Sequence, residues 1–169
     1  MGRKKRDTGK NFESEIRRSL KSSKHIWWFR IQDTNDVNRF IKQAVAEKQP
    51  ADFFSVYRGR PIMVEAKTSR NLSSFPLFYG NTHAIAPHQV KAGERLVRAG
   101  GVSLILIRRE EFRNKKCYAI TPAQAKYLYS KAFKRKSVKW KWFEEHAYKV
   151  DRLKAPLRWN LHKLYEEII

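Results

Sequence analysis

Apolar residues recur along the chain at spacings that predict a series of helices and strands. In "NFESEIRRSLKSS", Phe12, Ile16 and Leu20 have helical spacing. Thr8 or Asn11 is a candidate cap for this helix. The next stretch, "HIWWFRIQ", is rich in aromatic and branched residues and predicts a strand. The polar stretch after it, "DTNDVNRFIKQAVAEKQ", predicts either a helical segment or an excursion from the core.

The middle of the chain predicts a β-hairpin. Two apolar runs in "ADFFSVYRGRPIMVEAKTS" flank the dipeptide at 58–59. If that dipeptide is the loop, Tyr57 pairs with Arg60. The same register places Asp52 directly opposite Glu65. Directly opposed side chains share one face of a sheet, with their β-carbons about 5 Å apart.

The second half of the chain predicts further helices and strands. "NLSSFPLFYGNTHAIA" is expected to be a loop with aromatics, and "PHQVKAGERLVRAGG" predicts a helix that begins at Pro87 and stops at a Gly pair. "VSLILIRRE" and "CYAI" predict strands, and Thr121 caps the helix in "TPAQAKYLYSKAF". "LHKLYEEII" predicts a last helix. This order of elements is typical of an α/β domain with a mixed sheet.

Composition adds a strong charge to this picture. At 169 residues the chain is about one domain long, and 41% hydrophobic residues suit a globular core. Its formal net charge of +21 far exceeds what solubility needs. Nucleic acid is the commonest partner of so basic a domain, although a chain that sits on ribosomes or acidic lipid is an alternative. The basic stretch 1–10 is expected to be an arm on DNA.

Three kinds of feature are excluded or disfavoured by the sequence. Cys117 is the single cysteine, so no internal disulfide can form, and we expect a core residue in a reducing compartment. That compartment is the cytoplasm of a bacterium, or of a host cell if the protein is virus-encoded. One Cys and five scattered His make no zinc site. No apolar stretch approaches the roughly 20 residues that span a bilayer, so we expect no membrane association.

Two acids and an amine meet at the end of the predicted hairpin. Lys67 lies two residues beyond Glu65 and therefore points to the face that Glu65 shares with Asp52. Two neighbouring carboxylates repel each other unless a cation bridges them, and Mg²⁺ prefers one or two carboxylates with waters and phosphate oxygens. Lys67 would then contact the scissile phosphate or help to position a water. The alternative is a structural cluster in which Lys67 pairs with both acids.

These residues carry a resemblance to known nucleases. "PADFF" followed by "EAK" resembles the PD-(D/E)xK nuclease signature. The longer string "YRGRPIMVEAKTSRNLSSFPL…HQVKAGERL…GGVSLILI" resembles the RecU-type Holliday junction resolvases, and "KNFESEI" also resembles the first helix of the archaeal Hjc resolvases. The resemblance covers roughly residues 9–125. It implies a restriction-endonuclease-like fold, with a mixed central sheet flanked by helices and one nuclease domain over residues 1–169.

The resemblance also implies roles for individual residues. Asp52 and Glu65 would be ligands of Mg²⁺, with Mn²⁺ as a substitute, and Lys67 would be the catalytic amine. Glu13 on the first helix would complete or support the metal site. The alternative for Glu13 is an ordinary exposed acid in the first helical turn, where the macrodipole favours it. Glu15 is expected to be such an exposed acid and is not assigned to the site.

Three polar residues near the predicted site are candidates for DNA contacts. Gln89, in the first turn of a helix, could bind a phosphate or a metal-bound water beside free backbone N–H groups. A Gln at that position is also simply a good helix residue. Thr68 and Ser69 follow Lys67, and their hydroxyls could touch phosphate, although such residues more often just end a strand.

The excursion after the first strand matches the protruding stalk of RecU-like enzymes. The match places a stalk-like insertion at about residues 32–49. Arg39, Lys42 and Lys48 would enter the open centre of a four-way junction. The alternative is a plain surface helix whose cations are solvated.

The C-terminal extension, about residues 130–169, mixes cations with aromatics. Cations bind phosphates without reading sequence, and aromatic rings can stack on exposed bases. Alternatively, Val138, Trp140 and Trp142 share one face of a strand and pack inward. The two interpretations are compatible if the aromatic rings are buried while the neighbouring cations bind DNA. These candidate cations are Lys134, Arg135, Lys136, Lys139 and Lys141.

As a function, the resemblance implies a Mg²⁺-dependent endonuclease that resolves four-way DNA junctions by paired nicks in recombination and repair. A homodimer suits this task, because a two-fold dimer presents two equivalent sites to a nearly two-fold substrate. "WWF" and "SFPLFYG" offer aromatics for the interface, although core packing is the more ordinary fate of the first. The alternatives are another PD-(D/E)xK nuclease, of restriction, repair or end-processing type, and a noncatalytic nucleic-acid-binding protein.

Overall fold

The computed structural model describes residues 8–31, 49–111, 114–130, 133–153 and 158–169. The predicted stalk residues Arg39, Lys42 and Lys48 and most of the basic arm therefore lie outside the described residues. In chain order the elements are α1 (Thr8–Ser22), β1 (Trp27–Arg30), β2 (Phe53–Tyr57), β3 (Arg60–Ser69), β4 (Ser74–Pro76), β5 (Phe78–Tyr79), β6 (Thr82–His83), α2 (Pro87–Arg98), β7 (Val102–Arg109), β8 (Lys116–Ile120), α3 (Pro122–Leu128), β9 (Ser137–Lys139), α4 (Trp140–His146), β10 (Tyr148–Val150), β11 (Arg152–Leu153), β12 (Arg158–Trp159) and α5 (Leu161–Ile168).

The main sheet has six strands in the order β1-β2-β3-β7-β8-β10. Strands β3 and β7 are parallel, and the other neighbours are antiparallel, so the sheet is mixed as predicted. Helices α1 and α5 bury their apolar side chains on one face of this sheet. Helices α2, α3 and α4 pack on the opposite face. Among the described residues, none of the helices is both long and apolar enough to cross a membrane.

The first helix and the hairpin form where the sequence predicts them. Phe12, Ile16 and Leu20 of α1 are fully buried. The helix begins at Thr8, so Asn11 lies inside it rather than capping it. The hairpin loop is the dipeptide at 58–59, whose φ values of 49° and 76° are both positive. Two positive φ values are typical of the type I′ turn, whose twist matches that of the flanking strands. The loop therefore fixes the predicted register of β2 and β3.

The segment after the β2–β3 hairpin is more ordered than the predicted loop. β4 pairs with β9, and β5 pairs with β6 in a small hairpin. Phe75 and Leu77 are fully buried beneath these strands. The sequence could not show this, because β4 finds its partner more than 60 positions further along the chain.

The predicted strand with Val138, Trp140 and Trp142 on one face is wrong beyond Lys139. β9 ends at Lys139, and α4 begins at Trp140. Val138 and Trp140 are nevertheless buried, and Trp142 is half-buried. The chain therefore changes from strand to helix at Trp140, but Val138 and Trp140 face the core in either conformation.

The C-terminal residues complete the core of the domain. β10 forms one edge of the main sheet beside β8. Trp159 of β12 and three residues of α5 (Leu161, Leu164 and Tyr165) are buried against α1 and the central strands. The predicted C-terminal extension is thus packed into the same fold as the hairpin.

Candidate active site

Asp52 is held by hydrogen bonds on three sides at the start of β2. Its backbone N–H donates to the carbonyl of Val64 (3.2 Å), and its carbonyl accepts from the N–H of Ile31 (2.9 Å). Its carboxylate Oδ2 accepts from the N–H of Ala66 (2.8 Å). The paired register ends at Phe53 opposite Val64, so Asp52 lies just outside the ladder and its direct opposition to Glu65 stays a prediction. The charge of Glu65 nevertheless acts on the Asp52 carboxylate, so the two acids are neighbours. The carboxylate is therefore fixed in orientation beside the second acid.

Glu65 is a buried acid with one satisfied and one unsatisfied oxygen. Only 5% of the residue is exposed. Its Oε1 lies 2.8 Å from Nζ of Lys67, which is two positions along β3. Its Oε2 is buried and has no partner at hydrogen-bond distance among the described residues, although the side-chain amide of Gln89 lies close enough to stabilise the Glu65 anion. A buried oxygen without a partner is costly, so this atom is available to a cation.

The raised pKa values of both acids also favour a bound cation at this site. Burial, and then the charge of Glu65, raise the pKa of Asp52 to about 6, while the Ala66 hydrogen bond, Lys67 and Arg30 act in the opposite direction. Burial likewise raises the pKa of Glu65, although Lys67 and the nearby amide of Gln89 lower it. Both acids are thus disfavoured as anions until a further positive charge arrives.

Glu13 reaches the same region from α1. Its charge helps to raise the pKa of Glu65, so the two carboxylates are electrostatic neighbours. Its Oε2 forms an ion pair with Nη2 of Arg30 (2.7 Å). Sequence reasoning missed Arg30. Arg30 lies in the strand that the sequence predicts. Because β1 pairs with β2, Arg30 stands opposite Phe53, next to Asp52.

The donor set suits a hard divalent cation. Within the described ranges, no group of three or more His, Cys, Asp or Glu side chains is arranged to hold a metal. Mg²⁺ needs only one or two carboxylates, because it keeps several waters and takes phosphate oxygens from its substrate. Asp52 and Glu65 supply such a pair, and the unpartnered Oε2 of Glu65 fits the role of a ligand atom. Glu13 would have to release Arg30 to join them.

The three polar residues predicted to contact DNA have local partners. Gln89 stands in the first turn of α2, where its Oε1 accepts from the N–H of Ala86 (3.1 Å), so it caps the helix and also adjoins Glu65. The hydroxyl of Thr68 lies 3.5 Å from that of Thr8. The hydroxyl of Ser69 is buried and accepts from the N–H of Asn71 (3.2 Å). Their contacts with DNA stay predictions.

The predicted C-terminal cations lie beside the end of β3, the strand that carries Glu65 and Lys67. β9 pairs with β4, which follows shortly after Lys67. The indole N–H of Trp140 donates to the carbonyl of Asn71 (2.9 Å), and the N–H of Leu77 donates to the carbonyl of Lys136 (2.9 Å). These contacts dock the segment against the turn that leaves β3. All five cations are exposed: Lys134, Arg135, Lys136, Lys139 and Lys141.

Glu15 is not the exposed acid that the sequence predicts. It is buried and forms an ion pair with Arg108, whose side chain is fully buried. The indole N–H of Trp159 and the ammonium of Lys115 also bond to the Glu15 carboxylate, each at 3.2 Å. The signal was present, because position 15 continues the helical stripe that begins at Phe12. This network ties α1 to β7 and β12 on the α1 face of the sheet.

Cys117 is placed as predicted, in the core. It is buried in β8, and burial raises the pKa of its thiol well above the usual range. A thiol of this kind is not a nucleophile.

Comparison with known proteins identifies the family and agrees with this fold. The model of the family RecU (Recombination protein U) matches residues 9–164. A protein of Shouchella clausii (strain KSM-K16) named Holliday junction resolvase RecU is 32% identical over 123 residues, which cover 73% of this chain and 51% of the relative. The protein of that name from Geobacillus sp. (strain WCH70) is 36% identical over 69 residues, covering 41% of this chain and 30% of the relative. The chain thus spans about half the length of the first relative, and its match to the second is shorter still.

A solved structure matches the fold. Hjc of Archaeoglobus fulgidus, a Holliday junction resolvase, superposes with a TM-score of 0.51 at 13% identity, over 83% of this chain and 95% of the other. This similarity confirms the restriction-endonuclease-like arrangement of a mixed central sheet flanked by helices.

Proposed function

The chain belongs to the Recombination protein U family, and from that premise we propose that it is a divalent-metal-dependent endonuclease that resolves four-way DNA junctions. The observation that carries the proposal is the arrangement of Asp52, Glu65 and Lys67. Two partly desolvated acids interact electrostatically, an ammonium lies 2.8 Å from one of them, and one buried oxygen lacks a partner among the described residues. A purely structural salt bridge would leave that oxygen unsatisfied.

Each of the three residues has a chemical task in phosphodiester hydrolysis. Bound Mg²⁺, or Mn²⁺ in its place, would supply charge neutralisation at the phosphate and a more acidic water. Asp52 and Glu65 would hold the ion, and the hydrogen bond from Ala66 keeps the Asp52 carboxylate turned toward it. Lys67 would donate to an oxygen of the scissile phosphate or orient the attacking water.

DNA would be held mainly by charge. The net charge of +21 supports binding to a polyanion. The exposed cations of 134–141 border the turn after Lys67, so they could bind the phosphates that flank the cut. The cytoplasm is the compartment that we propose for this activity.

A homodimer is proposed on the basis of an exposed aromatic surface formed by Trp27, Phe29 and Phe54. Trp27 is 62% and Phe29 is 44% exposed, although both are large apolar residues. The rings of Trp27 and Phe29 are 5.6 Å apart, and those of Phe29 and Phe54 are 5.4 Å apart. The first two belong to β1, an edge strand of the main sheet. A second copy would bury this surface and supply the second active site that paired nicks require.

A panel of DNA substrates tests the proposed function. The chain is incubated with a four-way junction, a flap and a linear duplex of matched sequence, with and without Mg²⁺. We expect two nicks in opposed strands of the junction, only in the presence of the metal, and little cleavage of the duplex. Preferential digestion of the linear duplex would instead indicate a restriction-type or end-processing nuclease. Binding of the junction without any cleavage, with or without Mg²⁺, would indicate a noncatalytic protein.

A further inference from the structure

Gln49 links the residue that follows β1 to the residue that precedes Asp52, beside the candidate metal site. Its side-chain amide donates to the carbonyl of Ile31 (3.2 Å) and to the carbonyl of Ala51 (2.9 Å). Ile31 directly follows β1, and Ala51 directly precedes Asp52. The N–H of Ile31 in turn donates to the carbonyl of Asp52 (2.9 Å). One amide therefore joins the end of β1 to the peptide that leads into the first catalytic acid.

The peptide between Ala51 and Asp52 is held at both of its polar atoms. Its carbonyl accepts from Gln49, and its N–H donates to the carbonyl of Val64 (3.2 Å). A peptide unit is planar, so two hydrogen bonds on opposite edges fix its orientation. That plane sets the direction in which the side chain of Asp52 leaves the backbone. The contact with Val64 alone would leave the plane free to rotate about one bond.

We propose that Gln49 is a positioning residue for the metal site. It acts through Asp52 by fixing the backbone from which this carboxylate projects toward Glu65. The inference rests on the proposed function, because it concerns the geometry of the ion-binding pair. Residues that orient metal ligands through hydrogen bonds commonly contribute as much to affinity as a weak ligand does.

Two substitutions of Gln49 separate positioning from simple charge. Gln49→Met keeps the length of the side chain and removes both donors. Gln49→Glu also removes the donors at neutral pH but adds a negative charge near the site, which by charge alone would strengthen cation binding. Gln124→Met is the matched control, because Gln124 caps α3 by accepting from the N–H of Thr121 (2.9 Å) and belongs to a different part of the fold.

The primary measurement is Mn²⁺ affinity, followed by electron paramagnetic resonance without DNA, together with the melting temperature of each variant. Junction cleavage against metal concentration is the second readout. We expect both Gln49 variants to bind Mn²⁺ about 10-fold more weakly than the parent chain and to need correspondingly more metal for cleavage. Their affinity for junction DNA should not change. The Gln124 control should lose stability only.

The outcomes distinguish failure of the positioning role of Gln49 from failure of the proposed function. Parental Mn²⁺ affinity in Gln49→Met, or tighter binding in Gln49→Glu, overturns the positioning role while leaving the proposed function in place. If Gln49→Met does not fold, the result for Gln49→Glu decides. If the parent chain itself binds no Mn²⁺, the proposed function fails, and this inference fails with it.

Discussion

The carboxylate of Asp52 accepts a hydrogen bond from the backbone N–H of Ala66 at 2.8 Å. Ala66 is the residue between Glu65 and Lys67, so the first acid of the site is oriented by the backbone of the strand that carries the other two groups. The three side chains of the proposed site are therefore carried by one hairpin and by the residue directly before it. A rigid pair of strands can hold two acids close together although they repel each other.

Burial of the two acids, together with the charge of Glu65 beside Asp52, predicts an unusual pH dependence of stability in the metal-free protein. The pKa of Asp52 rises from 3.8 to about 6 on folding, and that of Glu65 rises as well. Protonated acids are therefore favoured by the fold. The contribution of Asp52 is complete below pH 3.8 and is lost as the pH rises through about 6. We expect Asp52→Asn to gain melting temperature relative to the parent chain as the pH increases across this range. A constant difference would contradict the account.

Removal of one partner of the buried ion pair should be costly. Arg108→Met leaves Glu15 buried with less charge compensation, and such a loss is worth about 3–5 kcal/mol in the free energy of unfolding. Arg58→Met is the control, because the pair of Arg58 with Glu166 is exposed and should contribute at most about 1 kcal/mol. Urea denaturation measures both values. Equal losses would show that the buried network is not specially stabilising.

The exposed cations beside the end of β3 should bind DNA without regard to sequence. The double variant Arg135→Gln/Lys136→Gln is expected to bind junctions of different sequence more weakly by the same factor. The slope of log affinity against log salt should fall by about 2, one for each lost phosphate contact. Lys21→Gln/Lys24→Gln removes two exposed cations near the far end of α1 and serves as the control. An equal effect of both pairs would indicate that only net charge matters.

The aromatic surface should control the oligomeric state. Trp27→Ser/Phe29→Ser is expected to shift the chain from dimer to monomer in sedimentation velocity and to uncouple the two nicks, so that singly nicked junctions accumulate. Tyr127→Ser removes another half-exposed aromatic ring and should leave the dimer intact. A monomeric parent chain, or a variant that still forms dimers, would refute the assignment of this surface.

The hairpin and its acids could be predicted because local rules determine them. The positive φ values of the loop and the two-residue period of the strands together fix which side chains share a face. Glu15 was predicted to be exposed because a charged residue is rarely buried, although its position on the helix indicates burial. It lies in the buried stripe of α1, but only the fold reveals that Arg108 stands opposite.

Other features depend on contacts between distant parts of the chain. The pairing of β4 with β9 turns a predicted loop into ordered structure and brings the C-terminal cations to the site. The change from strand to helix at Trp140 is equally hidden, because Val138 and Trp140 are buried in either arrangement. Arg30 and Gln49 become recognisable only when β1 is seen to pair beside Asp52.

The most direct test of the central claim is junction cleavage in Mg²⁺ by Asp52→Asn and Glu65→Gln, measured alongside junction affinity in the same buffer. Each substitution removes an anionic ligand while keeping the shape of the side chain. We expect cleavage to fall by at least about 100-fold and junction affinity to stay nearly unchanged, while the exposed control Glu167→Gln behaves as the parent chain. Cleavage at the parental rate in both site variants would show that these two acids do not form the catalytic centre.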